Sequence, residues 1–446
     1  MRVYQLFSMK KLTLRILPLS IVVLTLFSVQ QWLKITISTT FLTWILNFFI
    51  IYIILKFKYW TGGKLKNYIP QTDLNIIGIY LIWLVFSTIR GAFIAENYWE
   101  WKQLITGFQT LLLPILVYLF AVPIILKVTI RYWFKYALII FILIIPFLGK
   151  TAYHFYLGPI FLVGCFLPLL PKKWRYLITG LLITMLFIDL GSRSQVIKSA
   201  IVLLVTMGVF YRRIISNKLI KFAHWTCYIL PVILLYLGIS GTFNIFKDLS
   251  SNEGKYVQKK IKDGQVIEED LSVDTRTFIF EEVITSAIRH NYVIWGRTPA
   301  RGNDSMVFGA IQAENLKTGK YERHANELCH TNVFTWLGLI GLLLYSLIYL
   351  RSSYMAVYKS NNIYMKFLGC FIAFRWAYGW IEDFNRFDIM NFSLWMMIAM
   401  GISIRFRSMS NQEFQSWIKQ IFIFSQTNHL TRKLKIYHEN RNRSHH

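Results

Sequence analysis

The residues best placed to do chemistry in this chain are arginines and histidines lying between or inside its apolar blocks. Gly191-Ser192-Arg193-Ser194 joins two such blocks. A guanidinium there can grip phosphate oxygens through two parallel hydrogen bonds, or lie at an interface paired with Asp189. Arg276 sits in Asp274-Thr275-Arg276. Arg297 sits in Gly296-Arg297-Thr298-Pro299, whose glycine and proline point to a shaped loop. The densest polar run is Arg323-His324-Ala325-Asn326-Glu327-Leu328-Cys329-His330-Thr331-Asn332, which leads straight into an apolar block. His324, Glu327 and His330 share one helical face if a helix begins early there. Imidazole titrates near neutral pH, so either histidine can serve as a general base, with Glu327 and Asn332 as binding groups beside it. Arg375 lies mid-block in Phe374-Arg375-Trp376, as a functional group or as a structural partner to a buried carbonyl or to an acid such as Glu382, and Glu382-Asp383 closes the block. An ionisable group inside an apolar span is a functional candidate by default.

The four cysteines, Cys165, Cys227, Cys329 and Cys370, show no CxxC or Cys/His metal spacing. No metal and no cofactor is expected. Arginine and histidine without an acid-rich motif suit group transfer in which arginines, not a metal, neutralise a pyrophosphate leaving group.

The elements that must position these groups are membrane spans. Of 446 residues 55% are hydrophobic and 16% charged, too apolar for one soluble core. The apolar residues fall in blocks near the length of about 20 that crosses a bilayer. Spans are expected at 13–30, 35–56, 74–93, 105–126, 134–149, 152–170, 175–191, 195–211, 222–242, 331–350, 364–382 and 389–405. The fold class is thus an all-α integral membrane protein of about 12 helices. Trp32, Trp60, Trp99, Trp101, Trp133 and Trp174 fall near span ends, as an interfacial belt would. The basic leader Met1 to Lys11 and the first block show no cleavage site, so that block is read as the first span.

Charge orients the spans. More than half of the 49 Lys and Arg fall in alternate connections and the tail, and only a few, Arg90, Arg193 and Lys198 among them, in the opposite short connections. Positive residues stay in the cytoplasm, which places both termini there. The net charge of +27 is therefore an orientation signal, and nucleic acid is not an expected partner.

The chain divides into helices 1–9 over residues 1–242, an extracytoplasmic loop over 243–330, helices 10–12 over 331–405 and a basic cytoplasmic tail over 406–446. The loop holds more than half of the 22 acidic residues beside a nearly equal number of basic ones, and reads as an ordered polar subdomain. Lys262-Asp263-Gly264-Gln265 predicts a hairpin turn. Glu268-Glu269-Asp270 reads as a solvated turn. Asp274 to Ile288 predicts an amphipathic helix with Phe280, Val283, Ile284, Ala287 and Ile288 on its apolar side. The tail predicts a helix lying on the leaflet surface.

Together these residues resemble the O-antigen ligase and O-antigen polymerase superfamily. The resemblance rests on Ser192-Arg193-Ser194 at the outer end of a middle span, Arg276 in a loop helix, Gly296-Arg297, His330 near the loop's end, and the pair Gly338 and Gly341 in the next span. It departs at one place. Thr331 separates His330 from Asn332, and the glycine pair follows sooner than in the ligase-type motif, which leaves His324 as a rival.

The resemblance implies the fold of the multi-span lipid-linked-sugar glycosyltransferases, in the bacterial inner membrane with the loop periplasmic. It implies an undecaprenyl-pyrophosphate-linked oligosaccharide as donor, Arg193 and Arg276 as pyrophosphate ligands, and His330 as the residue that activates or positions the acceptor hydroxyl. Arg297, His324, Glu327, Asn332, Arg375 and Asp383 would line the substrate site. Membrane lipid and a chain-length regulator protein are the other partners expected. The function expected is polymerisation of repeat units by inverting, metal-independent transfer. The alternatives are ligation of the finished glycan to lipid A–core, and transport of the lipid-linked glycan without catalysis.

Overall fold

The computed structural model describes residues 11–189, 193–240, 257–262, 265–270, 277–306, 308–316 and 319–423. The protein is mostly helical. Among the described residues seven helices are long and apolar enough to cross a membrane: Leu12–Trp32, Thr40–Asn67, Gln71–Ile94, Tyr98–Phe120, Pro123–Phe147, Asn217–Leu237 and Cys329–Tyr358. Two shorter apolar helices are Ser194–Phe210 and Ile389–Ile402.

Apolar residues are distributed as a bilayer requires. Helix Ile389–Ile402 is apolar on nearly every side, and every residue in it is buried. It packs on helices Cys329–Tyr358, Ile363–Tyr378 and Gly158–Gly164, so it forms the centre of the bundle. Peripheral helices instead expose large apolar side chains, such as Ile82, Phe93, Phe222 and Tyr236. In water so wide an apolar exterior would drive association, whereas acyl chains cover it at no cost. Helix starts follow ordinary capping chemistry. Asn97 accepts from the amides of Trp99 and Glu100, Asn362 from Met365 and Asp388 from Asn391.

Several expectations are corrected. The expected break near residue 130 falls instead at Pro123, where a new helix begins and runs to Phe147. Trp133 therefore lies within a helix, buried, and donates to Thr25 Oγ1 rather than joining an interfacial belt. The tail helix Asn411–Ile421 turns its apolar face onto the protein, where Phe414, Trp417, Ile418 and Ile421 are buried. Its final carbonyls accept from Arg131, and Gln420 accepts from Lys127 at 2.8 Å. Cations suit a helix C-terminus, where carbonyls are left unpaired.

In the polar segment, strands Val257–Lys262 and Gln265–Asp270 pair antiparallel with Lys262 opposite Gln265. That register matches the predicted hairpin, although Asp263 and Gly264 themselves lie outside the described residues. Glu268-Glu269-Asp270 is strand rather than turn. Helix Thr277–Arg289 forms as predicted but buries Ile279, Val283, Ser286 and Ala287, leaving Ile284 and Ile288 exposed. Short strands Asn303–Asp304 and Glu322–Arg323 close the segment.

Candidate functional site

The most concentrated buried charge lies where helix Arg193–Phe210 begins, beside the end of helix Ile363–Tyr378. Tyr378 Oη donates to the Ser194 carbonyl at 3.2 Å and joins the two helices. One turn further, Lys198 Nζ meets Glu382 Oε1 at 2.5 Å. Arg375 Nη1 meets the other oxygen, Oε2, at 3.2 Å. All three side chains are buried, and the Arg375 guanidinium lies 4.9 Å from the Phe384 ring centre. Two basic groups thus share one carboxylate. A small cavity lined by Gly158, Phe161, Met390 and Ser393 adjoins Lys198 and Arg375.

Lys198 is the residue that sequence reasoning missed. Charge counting places it in a short outer connection, yet it is 2% exposed inside a helix. The signal is in the sequence, because a lysine inside the apolar span expected at 195–211 carries the same default functional reading as Arg375.

His330 opens helix Cys329–Tyr358 and is held on every side. Its amide donates to Gly379 O at 3.2 Å, and Cys329 N donates to Glu382 O at 3.0 Å. Its Nε2 donates to Trp376 O at 2.8 Å, because a carbonyl can only accept. The lone pair of the neutral ring then sits on Nδ1, which is buried and has no partner among the described residues. The rings of Trp376, Trp380 and Phe384 enclose it. Gly379 allows this packing, since a Cβ there would stand 2.7 Å from His330 Nε2.

Asn332 and Asp383 form a latch beside it. Asn332 accepts from Asn326 N at 2.6 Å and donates to Asn326 O, and its amide also reaches Asp383 Oδ1 at 3.2 Å. His324 and Glu327 do not share a helical face with His330, because the helix begins only at Cys329, after an extended Leu328. Glu327 is exposed and meets Arg323 at 3.5 Å. His324 is half-buried, and burial lowers its pKa.

Arg297 belongs to a separate layer within the polar segment. Its guanidinium donates to Asp304 Oδ1 at 3.0 Å and lies 3.0 Å from Glu322. Arg301 forks onto Glu322, and His290 Nε2 meets Asp304 at 2.7 Å. These groups line a cleft of about 500 Å³ with Arg289, Lys320 and Tyr321. Arg297 is therefore occupied by carboxylates rather than open as an anion clamp.

Burial would raise the carboxyls of Asp304 and Glu322, but the hydrogen bonds from His290, Arg297 and Arg301 outweigh it and hold both pKa values below the ordinary range. Stabilisation from such groups is complete above their unfolded values, near 4, and is lost as pH falls through the folded ones. The layer is expected to hold at neutral pH and to loosen below about pH 4. Thermal unfolding in detergent should show this acid-side slope, and the double variant Asp304→Asn/Glu322→Gln should show a shallower one. An equal slope in both proteins would contradict the assignment.

Of the predicted residues, the structure gathers His330, Asn332, Arg375 and Asp383 at one end of the bundle, where the Arg193–Phe210 helix also starts. Arg297, His324 and Glu327 lie in the adjoining polar segment. The Arg193 side chain and all of Arg276 lie outside the described residues. No three of His, Cys, Asp and Glu come together as a metal set among the described residues.

The chain matches no family model, no curated protein and no solved structure. The class defined by fold and composition is a mostly helical protein with several helices built to cross a membrane.

Proposed function

We propose that the protein is a membrane glycosyltransferase that polymerises polysaccharide repeat units carried on undecaprenyl pyrophosphate. On this reading it has about 12 spans in the bacterial inner membrane, with both termini cytoplasmic and the polar segment 243–330 periplasmic. A hydroxyl of the acceptor sugar attacks the donor's anomeric carbon and gives its proton to a general base, the role open to His324. The bond from that carbon to the pyrophosphate oxygen breaks, and undecaprenyl pyrophosphate leaves with the bonding pair. A single displacement inverts the anomeric carbon.

The observation that carries this reading is the shared carboxylate. Lys198 and Arg375 both pair with one carboxylate, Glu382, beside the Arg193 helix start, and Asp388 acts on Lys198 from farther off. A fixed cationic environment of low dielectric favours an anion that develops there. Arg193 and Arg276 complete the set as pyrophosphate ligands. His330 is fully covered, so it enters as a residue that positions this end of the bundle, while His324 is the histidine nearer to solvent.

Arg193→Ala and Arg276→Ala should each abolish chain extension in a deletion strain while protein levels hold. Unchanged polymer length in both variants would overturn the mechanism. The deletion strain separates the enzyme readings, since core bearing one repeat unit marks a polymerase and long polymer left on its carrier marks a ligase. Product formed by purified protein from lipid-linked repeats in detergent excludes a transporter.

A further inference from the structure

Helix Cys329–Tyr358 is broken at Gly338, whose φ of 69° and ψ of −170° are not helical. A break in a span frees backbone groups that have no water to bond. Here another stretch of backbone satisfies them. Arg297 N donates to Thr335 O at 2.7 Å and Thr298 N to Trp336 O at 3.1 Å, while Leu339 N donates to Val293 O at 2.8 Å. Helix Gln71–Ile94 supplies the rest. Trp83 Nε1 donates to Leu337 O at 2.9 Å, Ser87 Oγ to Trp336 O, and Arg90 to the carbonyls of Trp295 and Gly296. The two backbones meet glycine to glycine, since a Cβ on Gly296 would stand 2.4 Å from Gly338 N.

The depth of this junction follows from the helix that braces it. Asp73 pairs with Arg351 at 2.8 Å near the start of helix Gln71–Ile94, and Glu96 pairs with Lys320 just past its end. At 1.5 Å per residue, Trp83 lies about 15 Å and Ser87 about 21 Å along the helix from Asp73. The hydrocarbon layer is about 30 Å thick. The junction therefore sits well inside a layer bounded by those two ion pairs. At this level Ile294 and Trp295 are 53% and 49% exposed. Trp295 packs on Trp83 and Phe86 with ring centres 5.4 and 6.3 Å away, continuous with the apolar exterior formed by Ile82, Phe86 and Ile89.

We propose that residues 292–297 form a re-entrant turn that plugs the broken helix, with Ile294 and Trp295 facing the acyl chains of the bilayer. The segment is thus anchored in the membrane rather than lying wholly outside it. This depends neither on glycosyl transfer nor on which side of the membrane the segment occupies.

Spin labels test the depth. Single cysteines replace Ile294 and, as controls, Ile82 and Glu327, in full-length protein with Cys227 and Cys370 changed to alanine. Cys165 and Cys329 are buried and stay. The labelled proteins are reconstituted in phosphatidylethanolamine/phosphatidylglycerol vesicles, and collision rates with oxygen and with an aqueous nickel chelate are compared. At 294 oxygen should exceed nickel severalfold, as at 82, with the reverse at 327. Trp295→Cys, at a 49% exposed position in the same turn, repeats the test should the 294 variant fail to fold. Nickel access at these sites would place the turn in water and overturn the proposal. Low access to both probes would mean that protein covers the face, and would overturn it equally.

Discussion

Gly338→Ala is expected to detach the 292–297 turn and destabilise the protein by about 3 kcal/mol or more, combining a strained backbone of about 1–3 kcal/mol with lost hydrogen bonds of about 1 kcal/mol each. The backbone at 338 lies in a region that is essentially reserved for glycine. A Cβ there would stand 2.2 Å from Ile294 O and 2.4 Å from Gly296 N, and neither backbone atom can move aside alone. Thermal unfolding in detergent measures the loss. A label at Ile294 should at the same time lose the oxygen preference expected above. Gly78→Ala is the matched control, because a Cβ at Gly78 meets nothing within 4 Å and alanine favours a helix. Equal unfolding temperatures for the two variants would remove the junction from any structural role.

Glu382→Gln should be nearly as damaging. It leaves Lys198 and Arg375 buried with no carboxylate between them, and breaking one side of a buried ion pair costs about 3–5 kcal/mol. Removing all three charges is a different experiment. Lys198→Met, Arg375→Met and Glu382→Met together should recover most of the stability, because packed apolar groups often match a buried ion cluster. The triple variant should still fail to extend polymer if the two cations serve an anionic leaving group. Wild-type stability in the single Glu382→Gln variant would show that the cluster is not held as described. Full polymer from the triple variant would remove it from the proposed chemistry.

Much of the local structure was legible because it depends on near neighbours. Lys262 and Gln265 flank an Asp-Gly pair suited to a two-residue turn, and they pair across it as expected. The helix from Thr277 formed where the apolar period lay, but period alone cannot say which apolar side meets protein. Ile284 and Ile288 point away from it while Ile279 faces in. The grouping of Arg375, Asp383, His330 and Asn332 was partly visible, since all lie at the same ends of adjacent spans. Glu382 was legible as an acid close enough along the chain to pair with Arg375, but the partner of Lys198 was not. Lys198 and Glu382 are 184 residues apart, and only packing brings them within 2.5 Å.

By itself the sequence determined that this chain is rich in apolar helices, that it carries one long polar segment, and that arginines and histidines gather beside the spans. Hydropathy and helix period are summed over neighbouring residues, so they survive without knowledge of contacts. The tertiary structure decided which charges neutralise one another. It turned Arg297 inward onto Asp304 and Glu322, and it enclosed His330 among tryptophan rings. It also showed why Gly296 and Gly338 are glycines, because two backbones can close to hydrogen-bonding distance only where neither carries a Cβ. Such pairings depend on distance in space, which residue order along the chain does not encode.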